Sequence, residues 1–149
     1  DSRNPHVYAH TGPDIFRIAD RVKEVANALD VDMTTPVQVF CPGNDYWPLP
    51  WYLRGYQVEY GSAVPDESET APIVLIQPPM EEALIRKLYE LPPPGQKELY
   101  MHLFDESGRE TEMELRPGVE MRGFVAKSLW DRFERTKAEA ESTIQGSQQ

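Results

Sequence analysis

The chain has 149 residues, with 15 Lys and Arg against 25 Asp and Glu, so its formal net charge is −10. This length suits one domain, and the acidic excess excludes a protein that coats phosphate backbones, because that work needs clustered cations. A hydrophobic content of 40% excludes a disordered chain, and the longest aliphatic run, Ile73–Ile76, is far too short to cross a membrane.

The first predicted element is an amphipathic helix that begins at Gly12-Pro13-Asp14. A proline in the first turn and an acid at the positive end of the helix dipole are typical of a helix start. Apolar residues then recur at spacings of three and four, which predicts a buried stripe and a helix end near Asp30. The stripe consists of Ile15, Ile18, Ala19, Val22, Val25, Ala26 and Leu29.

Two strands with a short helix between them are predicted next. Val37–Cys41 is rich in β-branched residues and stops at Pro42-Gly43, as a strand does before a turn. Asn44 and Asp45 are then predicted to cap a helix over 46–54, with its prolines at the start. A second strand is predicted over 56–60.

The middle of the chain predicts a buried strand followed by a helix. Residues 72–77 are almost wholly apolar, which is typical of a strand covered on both faces. Pro78 and Pro79 open a helix over 80–91, and the proline run after it ends it. Its predicted core face consists of Ala83, Leu84, Leu88 and Leu91.

The last part of the chain predicts antiparallel strands and a final helix. Residues 99–104 and 111–115 are predicted as a hairpin around a turn at 105–108, and Arg116-Pro117-Gly118 as a second, plain turn. A strand over 119–125 and a helix from Ser128 to near Ala140 follow.

The order of elements predicts an α/β fold. We expect a three-layer mixed sheet, parallel in its N-terminal half, with an antiparallel hairpin in its C-terminal half and helices on both faces. The predicted domain covers 1–140, and 141–149 is predicted to be a disordered tail.

The richest candidate site is the segment that follows the first strand. Asp45, Tyr46, Trp47, Trp51 and Arg54 combine hydrogen-bonding groups, flat rings and a cation, and ligands of open α/β sheets bind beyond the carboxyl ends of strands. We predict a substrate-binding surface at these five residues, in which the rings stack on a sugar and Arg54 meets a phosphate. The structural alternative is that Asp45 caps the helix and the rings pack in the core.

Other chemistries find little support in the sequence. Cys41 has no neighbouring histidine and is predicted to be a small buried residue, and His6, His10 and His102 lack the spacing of metal ligands. Phosphate-binding loops and serine nucleophile elbows are absent from the sequence. We therefore predict no catalytic residue, no metal and no cofactor for this chain.

The run Asp45–Arg54, DYWPLPWYLR, resembles the soluble C-terminal region of family-39-like membrane glycosyltransferases. More closely, it resembles the flippase-activity-associated proteins of prokaryotic glycosylation, which are similar to dolichyl-phosphate-mannose protein mannosyltransferases. Tyr8–Asp14 resembles the start of this region, and Leu115–Gly118 with Val125–Phe133 resembles its end. The chain departs from the family pattern at Gly12, where a serine is expected.

The resemblance implies an accessory extracytoplasmic domain of a polytopic membrane protein, on the periplasmic side. The family's presumed catalytic acids lie between membrane helices, so none is carried over here, and the activity would belong to the parent protein. The start at Asp1 and the lack of a membrane span are expected for a segment of a longer chain. The implied partners are the membrane domain of the same protein and a lipid-linked sugar or acceptor, with no nucleic acid.

Two other interpretations stay open. In one, the domain is a structural or interaction module whose Trp-Pro loop packs on the membrane domain, and exposure of both tryptophans would favour an interface. In the other, it is a free-standing small α/β enzyme, which needs a nucleophile or phosphate loop that the sequence does not show.

Overall fold

A six-stranded mixed sheet lies at the centre of the protein. The computed structural model describes residues 12–28, 37–66, 69–104 and 113–147. Its helices are α1 (Gly12–Ala26), α2 (Leu49–Tyr52), α3 (Glu81–Tyr89) and α4 (Lys127–Ser147), and its strands are β1 (Val37–Phe40), β2 (Val58–Gly61), β3 (Ile73–Ile76), β4 (Tyr100–His102), β5 (Met113–Arg116) and β6 (Val119–Ala126). Within those ranges, no helix has the length and apolar character needed to cross a membrane.

The strand order is β2-β1-β3-β6-β4, and β5 pairs with the first part of β6. β1 is parallel to both β2 and β3, whereas β6 is antiparallel to β3, β4 and β5. Helices α1, α2 and α4 pack on one face and α3 on the other. The predicted three-layer α/β fold, parallel in its first half, is therefore confirmed.

The sheet separates two hydrophobic clusters. Ile73 and Leu75 of β3 face the larger cluster, together with α1, α2 and α4. Val74 and Ile76 face the smaller cluster, together with α3. Because successive side chains of a strand point to opposite faces, a wholly apolar strand is buried on both. The prediction for residues 72–77 is confirmed in this respect.

The predicted hairpin between residues 99–104 and 111–115 is wrong, because the two strands have a different partner. β4 and β5 do not pair with each other in the described residues; both pair with β6, β5 at Val119–Met121 and β4 at Phe124–Ala126. The tight turn is the one at Pro117-Gly118, where Gly118 has a φ of 82°. Because β6 has eight residues, it can pair with both strands. The predicted turn at 105–108 lies outside the described residues.

Several helix bounds also differ from the prediction. α1 ends at Ala26 and not near Asp30, and α4 continues through Ser147, beyond the predicted end near Ala140. The helix predicted over 46–54 is confined to α2, since prolines at 48 and 50 allow a helix to begin only around them. Asp45 is not the N-cap of α2, because Pro48 occupies that position; it follows a 3-10 turn at Pro42–Asn44 instead.

The core face of α3 is rotated from its predicted position. Leu84 and Leu88 are buried as predicted, but Ala83 and Leu91 are exposed and Lys87 is buried instead. α3 ends at Tyr89, so Leu91 lies beyond the helix and off its buried stripe.

The carboxyl ends of β1 and β3 meet at one edge of the sheet. The amide of Gln77, which follows β3, donates to the carbonyl oxygen of Phe40, the last residue of β1, over 3.2 Å. From this edge the chain passes to α2 on one face after β1, and to α3 on the other face after β3. Such a divergence is where open α/β sheets bind ligands.

Candidate functional site

The loop 42–54 leaves the carboxyl end of β1 through a sharp turn. The amide of Cys41 still pairs with the carbonyl oxygen of Gly61 over 3.0 Å, and the chain then reverses with positive φ angles at Gly43 and Asn44. Glycine and asparagine are the residues that adopt such angles at least cost. Leu49 and Leu53 are fully buried in the larger cluster and anchor the end of the loop.

Both tryptophans of the loop are exposed. Trp47 and Trp51 keep 62% and 55% of their surface open to solvent. Tyr46 and Tyr52, by contrast, are partly buried against the larger cluster, and the ring of Tyr46 lies 4.7 Å from that of Tyr60. The structural alternative of core packing therefore holds for the two tyrosines and is wrong for the two tryptophans.

The Arg54 guanidinium lies over the Trp51 ring. Its guanidinium carbon lies 4.0 Å from the centre of the Trp51 ring, and its Nη1 donates to the Trp51 carbonyl oxygen over 2.8 Å. A guanidinium in this position is a cation–π partner and keeps further N–H donors. The structure thus brings together two of the five predicted site residues, a flat ring and a cation.

Asp45 is held by Arg116, which was predicted to belong to a plain turn. Arg116 forms an ion pair with the Asp45 carboxylate and donates from Nη1 to the Trp47 carbonyl oxygen over 2.7 Å. Gln77 donates from Nε2 to the Asp45 carbonyl oxygen over 3.0 Å. Arg116 and Gln77 lie far from the loop in sequence, so no local sequence pattern predicts these contacts.

A third exposed ring comes from α1. Phe16 is 54% exposed and meets the ring of Tyr52 edge-to-face, with 5.4 Å between ring centres. We call the exposed rings of Phe16, Trp47 and Trp51 the aromatic surface. Phe16 lies off the apolar stripe of its helix. An aromatic residue at such an outward position was the only feature of the sequence that could have indicated its exposure.

Cys41 is buried beneath this loop. Its thiol contacts the side chain of Gln77, and burial raises its pKa to about 11. A thiol with this pKa stays protonated at neutral pH and is a poor nucleophile. The prediction of a small buried residue is confirmed.

The histidines contribute no metal centre to the part of the chain that the structure describes. His102 lies in β4, with its ring 5.3 Å from that of Phe124, whereas His6 and His10 lie outside the described residues. Among the described residues, no cluster of three His, Cys, Asp or Glu side chains is placed to hold a metal ion.

Comparison with known proteins identifies no relative. No family model matches the chain, and no curated protein or solved structure matches it. The resemblance of Asp45–Arg54 to membrane glycosyltransferases therefore stays a prediction.

Proposed function

We propose that this domain is an accessory, extracytoplasmic part of a glycosyltransferase-like membrane protein and binds a lipid-linked sugar. The observation that carries the proposal is the exposure of Trp47 and Trp51 on a loop whose ends are anchored in the core. Tryptophan is costly to leave in water, and exposed aromatic groups that are held in place are typical of binding surfaces.

The chemistry of the loop fits a phosphorylated sugar. Indole rings are flat apolar surfaces on which the C–H face of a sugar ring can stack, and Trp47 and Trp51 offer two of them. Arg54, held over Trp51, supplies a planar cation that suits the phosphate of a lipid carrier. Asp45 retains its role as a hydrogen-bond acceptor, although Arg116 already engages one carboxylate oxygen.

The loop is also held in place before any ligand arrives. Leu49 and Leu53 fix α2 in the larger cluster, while Arg116 and Gln77 fix the segment before it. A surface that is ordered in advance loses less conformational entropy on binding, which favours affinity.

The second candidate is an interface with the membrane domain of the same protein. The exposure of both tryptophans favours this interface as well, as stated above, and so does Phe16, an exposed ring on α1 that contacts Tyr52 and carries no polar group for a sugar. Both functions use the aromatic surface, and they differ in whether a soluble sugar is bound.

Saturation-transfer NMR with citronellyl-phosphate hexoses, which are short and soluble polyprenyl-phosphate sugars, tests the proposal. We expect contacts from the sugar ring to the wild-type chain. Trp47→Ala and Trp51→Ala should each weaken binding about tenfold, since losing a stacked indole costs on the order of 1.4 kcal/mol.

Trp130 supplies the matched control, because it is the remaining tryptophan and packs against the larger cluster. Trp130→Phe should leave binding unchanged. If the sugar quenches the fluorescence of Trp47 and Trp51, this quenching should also persist in Trp130→Phe. Absence of saturation transfer to the wild type, or transfer that survives both alanine variants, would refute sugar binding. If the isolated membrane domain then bound the wild type and not Phe16→Ala, the interface would be the function.

A further inference from the structure

Two side chains from distant strands hold the segment Asp45–Trp47. Arg116, the last residue of β5, contacts the Asp45 carboxylate and the Trp47 carbonyl oxygen at once. Gln77, just beyond β3, donates to the Asp45 carbonyl oxygen. The segment belongs to neither β1 nor α2, so its position depends on tertiary contacts, namely these side-chain bonds and the packing of Tyr46 against Tyr60.

Arg116 is suited to this task by its shape. A guanidinium is a rigid fork with several donors, so it can meet a charged acceptor and a neutral one in a single geometry. Here the two acceptors belong to residues 45 and 47, on either side of Tyr46. The Arg116 side chain is 26% exposed and the Asp45 side chain 50%, so water screens the ion pair and its own contribution to stability is small. What Arg116 adds is geometric, because its two bonds together restrict where the segment can lie.

We propose that Arg116 is a positioning residue for the aromatic surface. It holds the backbone of Trp47 so that the indole ring is presented to the ligand, and it does so from a hairpin that lies outside the loop. This inference rests on the proposed function, because the arrangement it maintains is the one that would bind the sugar.

The expected effect follows from the population of the binding-competent loop. If removing both contacts leaves the loop in its competent arrangement for about one tenth of the time, the apparent affinity falls about tenfold. A lysine at the same position keeps the charge but not the fork, and can satisfy one acceptor at a time, so its effect should be smaller.

The test compares Arg116→Ala and Arg116→Lys with Arg122→Ala. Arg122 is a fitting control because it lies on the same hairpin, is similarly exposed at 30%, and forms ion pairs with Glu81 and Glu120. Affinity for citronellyl-phosphate hexoses is measured by titration, and the indole N–H resonances of Trp47 and Trp51 are recorded by NMR without ligand. Thermal unfolding of each variant shows whether it is folded.

We expect Arg116→Ala to shift or broaden the Trp47 indole resonance and to weaken binding about tenfold, Arg116→Lys to do both less, and Arg122→Ala to do neither. Unchanged indole resonances and unchanged affinity in a folded Arg116→Ala would overturn the inference while leaving the proposed function intact. If Arg116→Ala does not fold, Asp45→Asn takes its place, since it weakens the same contact from the other side. A wild type that binds no probe would refute the proposed function, and the Trp47 resonance alone would then decide whether Arg116 positions the loop.

Discussion

Cys41 shows how far the surroundings of one residue determine its chemistry. The same thiol would titrate near pH 9.0 in an unfolded chain, and burial raises its pKa to about 11, with the nearby Asp45 carboxylate acting in the same direction. Gln77 and Arg116 act in the opposite direction but do not outweigh burial. Tyr60 behaves likewise, since burial and the adjacent Tyr46 raise its pKa to about 12.

These shifts predict a loss of stability in alkali. Because the folded chain holds the Cys41 proton more tightly than the unfolded chain does, the contribution of this thiol is complete below pH 9 and is lost as the pH rises to 11. We expect the free energy of unfolding in urea to fall over this interval, by roughly 2–3 kcal/mol from Cys41 alone. Tyr60 adds to the fall as the pH rises toward 12.

Cys41→Ala is the variant that isolates this effect. It lacks the titrating thiol, so its stability should decline less between pH 9 and 11 than that of the wild type. An equal decline in both chains, or alkylation of native Cys41 at pH 8 as fast as in the unfolded chain, would contradict the prediction.

At the residue scale, the types of side chain in the site were predictable and their contacts were not. The aromatic and charged content of the segment 45–54 predicted a surface there, and Trp47, Trp51 and Arg54 are exposed. The ion pair between Asp45 and Arg116 joins residues 71 positions apart. Such a contact depends on how β5 reaches the loop, and no local periodicity encodes that.

At the element scale, the hairpin of β5 and β6 connects the sheet to the candidate site. Met113 and Leu115 of β5 face the larger cluster and β5 lies against α1, while its last residue, Arg116, reaches the loop. In β5, Met113 and Leu115 are buried and Glu114 is exposed. The partner strand was predicted wrongly, because such alternation identifies the buried face of a strand but not which edge it pairs with.

The turn of this hairpin gives a prediction at the same scale. Gly118 has a φ of 82°, a conformation that side chains with a Cβ adopt at a cost of ~1 kcal/mol, so Gly118→Ala should lower the free energy of unfolding by about that amount. Gly55→Ala is the control, because Gly55 does not have such a φ and a Cβ there meets nothing within 4 Å. Urea titrations of both variants measure the difference, and equal stabilities would show that the turn tolerates a side chain.

At the scale of the whole molecule, the sheet separates two hydrophobic clusters, and α4 joins the larger one through its first two turns. Leu129 and Phe133 bind α4 to the larger cluster, whereas residues 134–142 are all exposed. The predicted division into a domain over 1–140 and a tail stays a prediction, and Phe133 is the last buried residue of α4 among positions 127–142.

Shortening the chain tests this division. Removal of residues 138–149 should leave the free energy of unfolding within about 0.5 kcal/mol of the full chain, because the side chains of 138–142 are exposed and exposed positions contribute little. Phe133→Ala in the full chain should cost about 3 kcal/mol, since it leaves a cavity in the larger cluster. A truncated chain that unfolds as easily as Phe133→Ala would mean that the outer half of α4 is part of the stable unit.

The sequence alone determined the class of fold, the buried faces of most elements and the segment that carries the candidate site. These properties follow from periodicity, turn residues and composition, which are local. Only the tertiary structure decided that β5 pairs with β6, that Phe16 meets Tyr52 of the loop and that Arg116 holds the loop. Each of these depends on which distant surfaces meet when the helices and strands bury their apolar faces together, and that is a property of the packed chain.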